Sequence, residues 1–220
     1  MFQYVLFDLD GTLTDPKTGI TSCVQYALAD AGIEEPDLDK LEPFIGPPLT
    51  DSFREFYGFD DEQIKRAIDK YHERFDEKGI FENEIIEGIP ELLKALKDAG
   101  CRVSIASSKP RPLVIRILEH FEIAQYFDTV VGSEFDGRFA TKEAVVEEAL
   151  KQLVPSVYEK EDVAMVGDRK FDIQGARANG LTGIGVSFGY AGEHELEDAG
   201  ADYIVDTVEE LQRLLLQGSL

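Results

Sequence analysis

Short apolar runs alternate with longer amphipathic stretches along most of this chain. Residues 4–7 (YVLF) form a continuous apolar run of strand length, the pattern of a strand buried on both faces of a parallel sheet. From Thr18 to Ala31 the spacing is helical, with Ile20, Val24, Ala27, Leu28 and Ala31 on one face and Gly32 as a stop. A second amphipathic stretch, from about Asp60 to Glu77, turns Ile64, Ile68, Tyr71 and Phe75 inward and Lys65, Asp69 and Lys70 outward. Between them, Glu42 to Phe53 (EPFIGPPLTDSF) reads as a Pro/Gly-punctuated turn joining short helices.

After Gly88 the two periods alternate. Pro90 suits a first helical turn, Leu92, Leu93 and Leu96 make the buried stripe, and Gly100 ends the helix. CRVSIAS, DTVVGS, VAMVG, TGIGV and DYIV read as strands; RPLVIRILEHF, TKEAVVEEALKQL, FDIQGARANG, HELEDAG and TVEELQRLLL read as the helices between and after them. This predicts an α/β fold, a Rossmann-like open parallel sheet with helices on both faces. Residues 16–85 interrupt the series with helix alone. They are predicted to be a helical domain inserted after strand one, leaving residues 1–15 and 86–220 as the core; a long insertion in such a loop costs little closure entropy.

Composition narrows the functional classes. The chain has 220 residues, 43% of them hydrophobic, which supports a real core. It carries 44 acidic against 22 basic residues, a net charge of −22, and such a surface repels nucleic acid and anionic membranes. No apolar run approaches the ~18 residues of a membrane span. Cys23 and Cys101 stand far apart with no CxxC or Cys/His cluster, which argues against a disulfide framework or a zinc site. No basic and apolar leader precedes the first strand. The expectation is a cytoplasmic monomer or weak homodimer acting on a small molecule.

The candidate chemistry lies at the strand ends, where open α/β sheets bind ligands. The first strand runs into Asp8 and Asp10, although aspartate and the following Gly11 are poor strand residues. The strand VSIAS delivers Ser107, with Ser108 and Lys109 behind it; VAMVG delivers Asp168, with Asp172 four residues on. Carboxylates gathered at one edge need a cation. With oxygen donors only, Mg²⁺ fits best, completing its shell with water and phosphate. Lys142 is the second anomaly: Thr141 as N-cap places it in a first helical turn, where a cation opposes the helix dipole at a cost of about 0.3–1 kcal/mol unless an anion faces it.

Taken together these segments resemble the haloacid dehalogenase superfamily, in its phosphatase branch with a helical cap, and within it phosphoglycolate phosphatase-like hydrolases. DLDGTLTD, IASSKP, TKEAV and MVGDRKFD resemble its four motifs in order, and FIGPPL resembles a turn of its cap. The third motif departs from the commoner KPxP form, so Lys109 competes with Lys142 for its role. The resemblance implies an Mg²⁺-dependent phosphatase for a small phosphorylated metabolite, phosphoglycolate-like or a nucleoside 5′-monophosphate. It makes Asp8 the nucleophile that carries the phosphoryl group and Asp10 the general acid and base. Mg²⁺ would lie on Asp8, the Asp10 carbonyl and Asp168, with Asp172 in or just outside its shell. Ser107, Ser108 and Lys142 would bind the phosphoryl oxygens, and Arg54 of the cap would contact the substrate. A sugar-phosphate mutase would use the same residues. A dehalogenase would need neither the metal nor Asp10. A phosphonate hydrolase would need a cap lysine marked by its context, and none of Lys17, Lys40, Lys65, Lys70 and Lys78 is. A phospho-accepting signalling switch is roughly half as long and lacks the insertion.

Overall fold

The computed structural model describes residues 1–134, 138–154 and 158–218. It separates into two compact units, residues 1–14 with 85–220, and residues 15–84.

The first unit is built on six strands. They are β1 (Tyr4–Phe7), β4 (Arg102–Pro110), β5 (Thr129–Ser133), β6 (Val163–Gly167), β7 (Thr182–Val186) and β8 (Tyr203–Val205), with the two-residue strands β2 (Thr14–Asp15) and β3 (Glu84–Ile85) at the two chain crossings between the units. The six lie in the order β5-β4-β1-β6-β7-β8, and each neighbouring pair is parallel. The chain builds outward from β1 through β4 and β5, then returns to the other side of β1 for β6, β7 and β8. The reversal falls between β1 and β6, the switch point at which the loops after neighbouring strands diverge and open a crevice.

The apolar runs occupy strands because both sheet faces are covered. Successive side chains of a strand point to opposite faces, yet Val5, Leu6 and Phe7 are all fully buried. On one face α6 (Lys142–Leu153) and α7 (Lys170–Ala178) pack Val145, Val146, Ala149 and Ala176 against Leu6, Ala106, Val131 and Met165. Elsewhere α4 (Ile89–Asp98) packs against α9 (Val208–Gln217) and β4, with Pro90 in its first turn as expected. The helices α5 (Arg111–His120) and α8 (Glu195–Ala199) complete the alternation. The α/β alternation after Gly88 is thus present as read from the pattern.

The second unit holds α1 (Lys17–Asp30), a 3₁₀ helix over Leu38–Phe44, α2 (Leu49–Tyr57), α3 (Asp61–Phe75) and a short 3₁₀ turn at Gly79–Phe81. One expectation is corrected. Glu42 to Phe53 is not one turn: its ends are helical and only residues 45–48 link them. Pro48 immediately precedes α2, a position proline tolerates because the first helical N–H groups have no intrahelical partner, so the prolines punctuate a helix start. Phe44 then meets Phe53 edge-on and Phe53 stacks on Phe59 in a small aromatic core. The Asp60–Gln63 capping box starts α3. Among the described residues no helix is long and apolar enough to cross a membrane.

Candidate active site

Asp8 follows β1 directly, and its backbone still belongs to the sheet: its N–H donates to Val166 O at 2.9 Å. The chain then folds tightly. Leu9 O accepts from Leu13 N at 2.9 Å and Thr14 N at 3.1 Å, and Gly11 N donates to Thr14 O at 2.7 Å. Gly11 takes φ +81°, and a Cβ there would lie 2.2 Å from Asp168 Oδ2. Glycine is therefore required twice, by the left-handed backbone and by the close approach of a carboxylate.

The end of β6 supplies the facing acids. Asp168 follows Gly167, and Asp172 lies in the first turn of α7, reaching back so that its Oδ2 accepts from Arg169 N at 3.0 Å. A Cβ on Gly167 would lie 2.1 Å from Asp172 Cγ. Gly167→Ala is accordingly expected to displace that carboxylate, at a cost of about 1–3 kcal/mol, as overpacking does elsewhere. Thermal unfolding and activity at a fixed Mg²⁺ concentration check this together; native values of both would contradict it.

Asp8, Asp168 and Asp172 are all buried, and each offers an oxygen within 4.8 Å of the others'. Asp168 Oδ2 accepts from Tyr190 N at 2.8 Å and Oδ1 from the Thr12 hydroxyl at 3.3 Å. Even so, burial, then Asp172 and Asp8, hold Asp168 well above the ordinary carboxylate range. Burial pushes Asp172 up to about 6 against the opposing pull of Lys142.

Lys142 meets the anions its anomalous position calls for. Thr141 caps α6 through Ala144 N at 3.4 Å, and the buried Lys142 ammonium lies 2.7 Å from both Asp8 Oδ1 and Asp172 Oδ1. Its remaining hydrogen bond goes to Ala106 O at 2.9 Å. Burial opposes its charge, but the two carboxylates outweigh burial and raise its pKa.

β4 provides the other wall. Its register with β5 shifts between Ser107 and Pro110, a bulge that re-aims the strand end. Gly132 permits it, since a Cβ there would lie 2.5 Å from Lys109 O. Ser107 is buried, and its Oγ accepts from Lys109 N at 3.3 Å, leaving the hydroxyl hydrogen for a further acceptor. Ser108 is partly buried and its carbonyl accepts from the Ser133 hydroxyl. Lys109 pairs with Asp10 Oδ2 in a largely buried ion pair. The two competing lysines thus have separate partners: Lys142 meets Asp8 and Asp172, Lys109 meets Asp10. Arg54, by contrast, lies on α2 of the second unit, where it pairs with Asp61 at 2.6 Å with both side chains more than half exposed.

Three further contributors carried no signal by residue type: Thr12, Tyr190 through its N–H, and Gly189, where a Cβ would lie 2.3 Å from Asp168 Cβ. The one available hint was a glycine-punctuated stretch (FGYAGE) directly after a strand. The cluster as a whole suits a hard cation: three buried carboxylates with oxygen donors only, and Lys142 paired with two of them.

Residues 5–186 match the family described as haloacid dehalogenase-like hydrolase. A 5′-nucleotidase of Pseudomonas aeruginosa is 46% identical over 196 residues, 89% of this chain and 87% of its own. The tyrosine-protein kinase PtkA of Mycobacterium tuberculosis is 38% identical over 216 residues, 97% of this chain and 72% of its own. The crystal structure of a predicted phosphatase from Clostridium acetobutylicum has 46% identity and a TM-score of 0.91 over 99% of both chains.

Proposed function

The chain belongs to the haloacid dehalogenase-like hydrolase family and is a phosphatase acting on phosphomonoesters, and from that premise we propose that the reaction runs through Asp8, with nucleoside 5′-monophosphates as the preferred substrate class. The single observation that carries the assignment to Asp8 is its place in a buried cluster with Asp168 and Asp172, where the Lys142 ammonium lies 2.7 Å from both Asp8 and Asp172. The substrate class rests on the 46%-identical relative named a 5′-nucleotidase; smaller phosphoglycolate-like esters are the second candidates.

Asp8, Asp168 and Asp172, with the Asp10 backbone carbonyl, would hold Mg²⁺. That ion supplies charge neutralisation, letting a phosphate dianion approach carboxylates. Everything else falls to the chain's own groups. An Asp8 oxygen attacks phosphorus, and the bond from phosphorus to the ester oxygen breaks. Asp10 gives its proton to the departing alkoxide, so the alcohol leaves neutral. Asp10, now ionised, takes a proton from water as the water oxygen attacks phosphorus; the bond to Asp8 breaks and phosphate leaves. Ser107 and Lys142, both buried, bind the phosphoryl oxygens, where charge stabilisation is worth more than in water. Asp10 starts this sequence paired with Lys109, so its protonation requires that pair to loosen as the dianion arrives. Release of phosphate and alcohol in equal amounts, across a panel of phosphomonoesters, separates hydrolysis from a mutase or from transfer to a protein hydroxyl.

Metal removal has a pH signature. The folded Asp172 value of about 6 exceeds the ordinary value of about 3.9. The metal-free fold therefore binds more protons than the unfolded chain between those values, and it loses stability as pH rises through that window. Asp168 shifts in the same direction. Mg²⁺ is expected to restore what is lost, raising the melting temperature more at about pH 8 than at about pH 5. Chelation should abolish turnover and Mg²⁺ should return it. Full activity in a chelated preparation, or equal thermal shifts at both pH values, would contradict the metal assignment.

A further inference from the structure

The loop from β7 to α8 reaches back onto the turn that carries Asp168 and Asp172, and one side chain fastens it there. Glu195 Oε1 accepts from Arg169 Nε at 2.9 Å and from Lys170 N at 2.9 Å; Oε2 accepts from Gly192 N at 3.1 Å, within its own loop, and from Arg169 Nη2 at 3.5 Å. Both Arg169 and Glu195 are largely buried, with side chains 14% and 15% exposed. His194, directly before Glu195, takes the left-handed backbone at φ +60°, a conformation uncommon outside glycine. Burial opposes the Glu195 charge, but Arg169 and the two backbone donors outweigh it and hold the carboxyl below its ordinary range.

What this clamp holds is specific. Arg169 is the residue after Asp168, and its own N–H is the donor to Asp172 Oδ2. Lys170 N is the first N–H of α7, an orphan donor at a positive helix end. The same loop delivers Tyr190 N to Asp168 Oδ2 at 2.8 Å and lays Gly189 against the Asp168 side chain. One carboxylate therefore fixes both the helix turn that aims Asp172 and the loop that aims Asp168.

We propose that Glu195 is a positioning residue for the metal-holding pair Asp168 and Asp172, acting through Arg169, the first N–H of α7 and the Tyr190 loop. This rests on the reading of those two aspartates as Mg²⁺ ligands. Partners that orient metal-bound carboxylates typically govern about 10–100-fold in metal affinity when removed. A residue needed only for folding would lower the melting temperature without changing affinity in the folded protein.

The test is Mn²⁺ binding to metal-free protein in the absence of substrate, followed by the free Mn²⁺ resonance, for wild type, Glu195→Ala and Glu195→Gln. Glu195→Ala is expected to weaken Mn²⁺ binding by about 10–100-fold. Glu195→Gln keeps one acceptor oxygen and should weaken it less. The Mg²⁺ concentration for half-maximal turnover should rise by the same factors, with kcat at saturating Mg²⁺ nearly unchanged. If Glu195→Ala does not fold, Glu195→Gln decides by the same criterion. Unchanged Mn²⁺ affinity in the folded variants, with wild type binding normally, overturns this inference alone. A wild-type protein that binds no Mn²⁺ overturns the metal reading and this inference with it.

Discussion

Asp8→Asn is expected to abolish phosphatase turnover, by about 10⁴-fold or more as for other removed nucleophiles, while leaving the chain folded. The substitution is nearly isosteric, and the residue is anchored by its backbone, whose N–H stays on Val166 O at 2.9 Å. Removing one of three clustered carboxylates also relieves repulsion in the metal-free protein. The melting temperature without metal should therefore hold, although Lys142 loses one of its two anions. An amide oxygen is a poor nucleophile toward phosphorus, so no side chain substitutes. Turnover close to wild type would refute the covalent route. An unfolded variant would contradict the claim that the strand, and not the charge, holds this residue in place.

Lys142→Ala should show the second-largest effect, and it should register in both stability and catalysis. The ammonium is buried, and its three contacts go to Asp8, Asp172 and Ala106 O. Removing one partner of a buried charge group leaves the others uncompensated, typically at a cost of about 3–5 kcal/mol. The variant should melt lower without metal and regain part of the loss when Mg²⁺ is added. Loss of a preorganised charge that faces the phosphoryl oxygens should lower kcat by about 10²-fold or more. Lys109→Ala should cost less, since Lys109 pairs with Asp10, whereas Lys142 bridges Asp8 and Asp172. The two variants measured side by side, by kcat and by metal-free melting, decide the matter; a larger loss in Lys109→Ala would move the phosphoryl-binding role to Lys109.

The parts of this molecule that could be read from the chain are those in which a residue breaks a local rule. Aspartates directly after a buried strand contradict strand preference, so Asp8 and Asp168 announced themselves. Lys142 was legible because a cation in a first helical turn opposes the dipole, and the structure supplies two anions at 2.7 Å. The alternation of strand and helix was legible because strands buried on both faces read as continuous apolar runs. The strand order is different in kind: no periodicity encodes that β1 lies between β4 and β6, which follows from how the connections cross. The turn of the proline-rich stretch was read too long because proline ahead of a helix looks like a turn when taken alone: only residues 45–48 link the two helices, and α2 begins at Leu49. The supporting contacts were the least visible. Tyr190 and Lys170 act through backbone N–H groups, which every residue but proline has, and Glu195 was one acid among 44 acidic residues. Arg54 was suggested by its place in the insertion; it is found on Asp61.

The central claim is that the phosphoryl group passes through Asp8. A phosphomonoester mixed with the Mg²⁺-loaded enzyme, quenched in acid within the first turnover and digested, tests it by peptide mass. One phosphoryl increment is expected on the peptide containing Asp8, absent from the Asp8→Asn protein treated identically. A phosphoryl group on any other residue, or none on Asp8 while turnover proceeds at full rate, would contradict it.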